Sequence, residues 1–366
     1  MNEDFVTQLR LQLREAALRE ERRTPVAQRF VRARRGLPGP RPVAATLATV
    51  LLALAVAAGA LALRGQPEPA EPKVIATLRV ADGLSSLAPG FGSVWAADPI
   101  RGEILRIDPG TRRVAARIPV RGDARVATGA GAVWAIAGDL QYSGDKGPVR
   151  LLRIDPTTNR VVARIPLRTP AGASFGPVDL QIGGDAVWVV GVGGALRIDP
   201  RQNEADRFVP LADEGGDVTR GVVADGDSVW MLTLDGRLRR LDANTGQAVD
   251  EVPVRAPADA YLFGGHASTL TLVGTNQIAV LERPTGRLLW RAALEADIRY
   301  WITDGDVLWV HVARDSAEPD QLVRLDAGSG GRRGQLDLPE PGAAGIAKVG
   351  HEVWIGTPSG TVIVVR

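Results

Sequence analysis

Residues 149–167 read VRLLRIDPTTNRVVARIPL, and residues 102–120 have already read GEILRIDPGTRRVAARIPV. One phrase written twice, with fainter echoes further on, marks a repeat architecture whose units cannot each bury an apolar face alone. Within the phrase, LLRID and VVARIP are short β-branched runs, and the DPTT between them is turn chemistry. Asp accepts hydrogen bonds from the backbone just ahead, and Pro presets the next φ. The phrase therefore predicts an antiparallel hairpin.

Working outward, each echo is preceded by a Val-Trp or Leu-Trp pair, at Trp95, Trp134, Trp188, Trp230, Trp309 and Trp354, and TLTLV puts Thr271 in the remaining slot. Eight residues before each slot stand Leu87, Val126, Leu180, Val222, Phe263, Trp301 and Ile346, all apolar. Between the two positions lie GFGS, GAGA, GGDA, DGDS, GHAS, DGDV and VGHE, the residues of tight hairpin turns. Each unit is thus four antiparallel strands. Seven of them, about 42 residues each, predict an all-β seven-bladed β-propeller over residues 73–366.

The last unit, EVWIGTPSGTVIVVR, stops after its third strand, and KVIATLRV at residues 73–80 matches the missing fourth. The expected ring closes by N-terminal strand addition, which leaves no open edge. The tryptophans are expected to lie between blades, each burying on the order of 200 Å². Trp290 and Trp301 are expected to fill the gap at Thr271.

The chain has 366 residues and no cysteine, so no disulfide framework or thiolate metal cluster exists. Residues 1–73 hold 12 of the 44 basic side chains and 7 of the 42 acidic ones, so the repeat region is slightly acidic and carries no basic stripe for nucleic acid. Arginine far outnumbers lysine, as in a GC-rich bacterial genome.

Residues 43–63, VAATLATVLLALAVAAGALAL, carry no charge and are long enough as a helix to span a bilayer. Ten arginines and five carboxylates precede them, which predicts a cytoplasmic N-terminus and an extracytoplasmic propeller on a single-pass anchor. A cleaved signal peptide is the rival reading. Residues 1–42 form a basic segment. In it Phe5, Leu9, Leu13, Ala16 and Ala17 follow helical spacing until Pro25, suited to the lipid surface or to a cytosolic partner of residues 1–24. Residues 64–72, with GQPEPAEP, read as a stiff Pro-rich linker.

These units resemble the YVTN/YncE type of seven-bladed bacterial propeller over nearly all of residues 74–366. Blade five, LERPTGRLLWRAAL, also resembles the tryptophan-docking repeat of pyrroloquinoline-quinone (PQQ) propellers through Thr285, Gly286 and Trp290. The resemblance implies fold rather than activity. Quinoprotein dehydrogenases are eight-bladed, and the other blades lack that pattern, so no cofactor is expected. Streptogramin lyases resemble the chain in blade number and imply a metal and a histidine base. Here His266 and His351 fall in turns at one face and His311 ends a second strand near the other, so the three cannot share a site.

Binding is therefore the expected role, with a protein, peptide or glycan as ligand and a membrane-tethered metal-dependent lyase as the alternative. The layout is similar to the sensor propellers of some bacterial receptor kinases. Candidate ligand residues at the channel mouth are Arg125, Asp179, Arg220, Tyr261, Arg299 and Tyr300, of types favoured at binding hot spots. Tyr142, Asp145 and Arg314 join them from the long polar loops GDLQYSGDKGP and VARDSAEPD. No metal ligand set is expected.

Overall fold

The computed structural model describes residues 71–366 except 141–147, 171–174, 184–185, 211–221, 226, 234–235, 246, 255–258, 263, 265–267, 284 and 315–317. The expected cytosolic helix, membrane span and most of the linker lie outside the described residues. No helix among the described residues is long and apolar enough to cross a membrane.

Among the described residues, twenty-eight strands form seven four-stranded antiparallel sheets. Blade one is Ser86–Gly90, Ser93–Asp98, Glu103–Asp108 and Arg113–Pro119, and blade two is Asp123–Gly129, Ala132–Gly138, Arg150–Asp155 and Arg160–Pro166. Blade three runs from Gly176–Gly183 to Glu204–Pro210, blade four from Val222–Asp225 to Ala248–Pro253, and blade five from Tyr261–Leu262 to Leu288–Ala293. Blade six runs from Asp297–Asp304 to Arg332–Asp337. Blade seven takes Gly345–Val349, Glu352–Gly356 and Thr361–Val365 from the C-terminal end, and Val74–Arg79 as its outer strand.

The closure is a full ladder. Thr77 faces Ile363 and Arg79 faces Thr361. The Lys73 amide donates to the Arg366 carbonyl at 2.9 Å, and the Arg366 amide donates back at 3.0 Å. At the other end the Val80 and Ala81 amides both donate to the Gly360 carbonyl.

The core is divided among the blade interfaces. Trp95 of blade one packs with Val126, Val133 and Ile154 of blade two, and Trp134 packs with Leu180, Val189 and Ile198 of blade three. At the closing junction, Trp354 of blade seven packs with Leu87, Val94 and Leu105 of blade one. Of the expected apolar anchors, Leu87, Val126 and Leu180 follow this pattern and Trp301 and Ile346 are only partly buried, while Phe263 lies outside the described residues.

The repeated RIDP phrase has a structural cause that joins blades rather than only folding a hairpin. The arginine lies over the tryptophan of its own blade, Arg106 on Trp95 and Arg153 on Trp134, each at 5.4 Å. Its guanidinium then reaches the turn of the next blade. Arg106 donates to the Pro156 carbonyl at 2.7 Å and to Asn159 Oδ1 at 3.1 Å, and Arg153 donates to the Pro200 carbonyl at 2.7 Å and to Asn203 Oδ1 at 3.0 Å. Asn159 and Asn203 hold φ of 57° and 56°, a left-handed conformation that asparagine tolerates. The aspartate closes its own turn: Asp155 Oδ1 accepts from the Thr157 amide at 2.7 Å.

Blade seven cannot copy this link, because Val364 stands opposite Trp354 where blades one to four and blade six have arginine. Glu352 takes over. It accepts from the Trp354 indole, from Arg112 of blade one and from Arg366.

Blade five departs differently. Thr271, Val280 and Trp290 stand in one cross-strand row, so the large side chain has moved from the second strand to the fourth. Trp290 packs with Leu308, Val310 and Leu325 of blade six, and its indole N–H donates to the Ala327 carbonyl at 2.8 Å. Ala327 follows the turn aspartate Asp326 as Pro156 follows Asp155, so the indole uses the acceptor position that arginine uses elsewhere. Gly330 beneath it has φ 73°, and a Cβ there would come within 2.5 Å of Trp290 Cε3. Of the two residues expected to fill the gap, Trp290 does so; Trp301 only borders the same cluster.

Candidate site at the channel mouth

The strand order sends the inter-blade loops and the second-to-third-strand loops to one face, where the first strands also begin. Two of these first strands carry a register shift at their start, between Pro177 and Asp179 in blade three and between Ile298 and Tyr300 in blade six. The extra residues are Val178 and Arg299, both exposed. An inserted residue re-aims its neighbours. Sequence reading missed both bulges, since an extra residue in a strand leaves no signature of its own.

The structure brings together four of the candidate residues. Arg125 of blade two and Asp179 of blade three interact electrostatically, and the charges of Arg125, Asp179 and Arg299 all act on the Tyr300 phenol of blade six. Burial raises the Tyr300 pKa most, Arg125 and Arg299 oppose that rise, and Asp179 adds to it. Arg299 also donates to Asp297 Oδ2 at 3.2 Å. A mixed cluster of two cations, one anion and a phenol can hydrogen-bond and orient a polar ligand.

Asp179 is open to water yet crowded by the inner strands. Desolvation raises its carboxyl above the ordinary 3.8, against the opposing pull of the Leu180 N–H and Arg125. A raised carboxyl favours the neutral acid in the folded state. Its stabilising contribution is complete below pH 3.8 and is lost as pH rises through the raised value. Asp179→Asn should therefore melt above the wild type at neutral pH, with the gain vanishing in acid. Thermal melts across that range check this, and a gain independent of pH would count against it.

The other candidates are distributed along the chain. Tyr142, Asp145 and Arg220 lie outside the described residues. Tyr261 opens the short first strand of blade five and is 53% exposed. Arg314 is not at the mouth: its side chain pairs with Glu318 in its own loop, and its amide donates to Asp320 Oδ1 at 3.1 Å. Short-range pairing within the loop holds it there.

The histidines separate as expected where described. His351 is exposed in a turn at the opposite face. His311 is fully buried where other blades have apolar residues such as Ile136 and Leu232, with Nε2 3.3 Å from Asp320 Oδ2. Burial lowers its pKa, and Asp320 opposes that shift. Closed off from solvent, it has no path to act as a base on a ligand. Among the described residues no group of three or more His, Cys, Asp or Glu could hold a metal ion.

No family model matches the chain. It is 34% identical over 85 residues to the quinohemoprotein alcohol dehydrogenase ADH IIB of Pseudomonas putida, a stretch covering 20% of this chain and 12% of that enzyme. The chain thus spans only a small part of that relative's length. Among solved structures it is similar to the computationally designed Ika8 protein (TM-score 0.58, 13% identity, 80% of this chain and 99% of that one). It is also similar to BamB from Moraxella catarrhalis (TM-score 0.52, 14% identity, 81% and 99%). These likenesses fit a propeller of PQQ-like repeats.

Proposed function

We propose that the chain is a membrane-anchored recognition module of the YVTN/YncE kind, whose extracytoplasmic propeller binds a protein, peptide or glycan at its loop-bearing face. The observation that carries this reading is the convergence of Arg125, Asp179, Arg299 and Tyr300, from blades two, three and six, at the channel mouth on that face. A ring of rigid sheets holds them, while the loops around them can vary without cost to the core. The BamB likeness supports the propeller fold on which this reading rests. The uncharged residues 43–63 and the arginines before them support the anchor and its orientation.

Two measurements test this. The full chain should stay with the membrane in carbonate and yield its propeller to protease added outside intact spheroplasts; release by carbonate, or protection from the protease, would refute the topology. Ligand captured from an extract by the full chain should be retained about tenfold less by Arg299→Ala and Tyr300→Ala. Equal retention by both would remove the channel mouth as the binding site.

A further inference from the structure

A second concavity on the loop-bearing face, of about 920 Å³, lies between blades one and two. Its walls come from the second-to-third-strand loop of blade one, the loop joining the two blades, and the outer strands of blade two. Pro119, Val120, Pro148 and Leu152 supply apolar surface, and Ile100, 67% exposed, stands at its edge. Among the described residues four arginines line it and no carboxylate does. Arg101 is committed to Asp82, at 2.6 Å. Arg121, Arg150 and Arg164 are exposed and have no ion pair or hydrogen bond among the described residues.

The repeat itself provides a comparison. In blade one, Glu103 on the third strand and Arg117 on the fourth form an ion pair, and in blade four Arg237 and Glu251 form one at the same two positions with the signs exchanged. Blade two puts Arg150 and Arg164 at these positions. Like charges on neighbouring strands are destabilising. Blades one and four fill this slot with an attractive pair, blades three, five, six and seven place no pair of charges there, and blade two alone sets two like charges in it, where they face the groove.

We infer that this groove is the docking site for an acidic, extended peptide segment of a partner protein, whose carboxylates pair with Arg121, Arg150 and Arg164 and whose apolar side chains rest on the proline, valine and leucine wall. Arginine pairs with carboxylates in bidentate geometry. Among the described residues that line the groove none is aromatic, and the charge and apolar surface they offer suit a peptide rather than the stacking of a sugar ring or a base. The proposal rests on the recognition reading above and adds to it a partner chemistry and a second contact region.

The informative variant is Arg150→Glu, because it installs the arrangement of blade one and should keep or raise the melting temperature while removing the site. Random dodecapeptides displayed on phage are panned against the immobilised full chain. The expected result is enrichment of Asp and Glu interleaved with apolar residues, salt-sensitive retention, and about tenfold weaker retention on R150E. Arg121→Gln, in the loop between blades, gives the same readout independently of the hairpin pairing. Enrichment without acidic residues, unchanged retention on both variants, or binding of polyuronate oligosaccharide or anionic vesicles in place of peptide would overturn it. Should the peptide arm fail while Arg299→Ala and Tyr300→Ala still lose captured ligand, the groove is wrong and the recognition reading survives.

Discussion

Removal of residues 71–79 is expected to abolish the cooperative thermal transition and to make the chain self-associate. Those residues supply the outer strand of blade seven, and without them Thr361–Val365 becomes an unpaired edge. That edge, TVIVV, is buried along its whole length in the intact ring and is β-branched and uncharged. An edge of that kind is a template for pairing with another chain. The truncation also leaves the ring closed by side chains between blades seven and one, the packing of Trp354 against Leu87 and the Arg112–Glu352 ion pair, with no backbone ladder across the latch. Calorimetry and light scattering measure the outcome. A truncated protein that stays monomeric and melts as the wild type does would show that the ring holds without its latch. Adding a synthetic peptide of residues 71–80 in trans should restore the transition, which separates a missing strand from a general folding defect.

Trp290→Ala is expected to cost about as much as Trp134→Ala, roughly 3–5 kcal/mol each, although only Trp134 belongs to the repeated tryptophan position. The corresponding fall in Tm is roughly 6–12 °C. Trp290 fills the interface between blades five and six and donates to Ala327, so its loss leaves both a cavity and an unpaired carbonyl. Thr271→Trp, which would restore the sequence pattern, should destabilise by about 1–3 kcal/mol because the space is already occupied. Thermal and denaturant melts of the three variants decide the matter. A stabilising Thr271→Trp would mean that the slot is empty.

The fold was legible because its evidence is local and repeated. Hairpin turns and strand alternation recur in each unit and tryptophans in six of the seven second strands, and KVIATLRV at residues 73–80 carries the fourth-strand pattern. Part of the channel mouth was legible for the same reason. Arg125, Asp179 and Tyr300 stand directly before the apolar anchors Val126, Leu180 and Trp301, so the repeat assigns them a common place. Arg314, a loop residue, has no such anchor, and its position is decided by Glu318 and Asp320 nearby.

The sequence by itself determined the number of blades, their strand order, the partner of the N-terminal strand and the chemistry available at the loop-bearing face, since each of these follows from short-range pattern summed over seven copies. Only the tertiary structure decided which side chains meet across blade boundaries: arginine and tryptophan with the next blade's turn, Glu352 in place of that link at the closing junction, and Arg121 beside Arg150 and Arg164. Contacts of that sort depend on register shifts and on loops from different units, and a change of one residue in register reverses the face a side chain occupies. No spacing along the chain encodes that outcome.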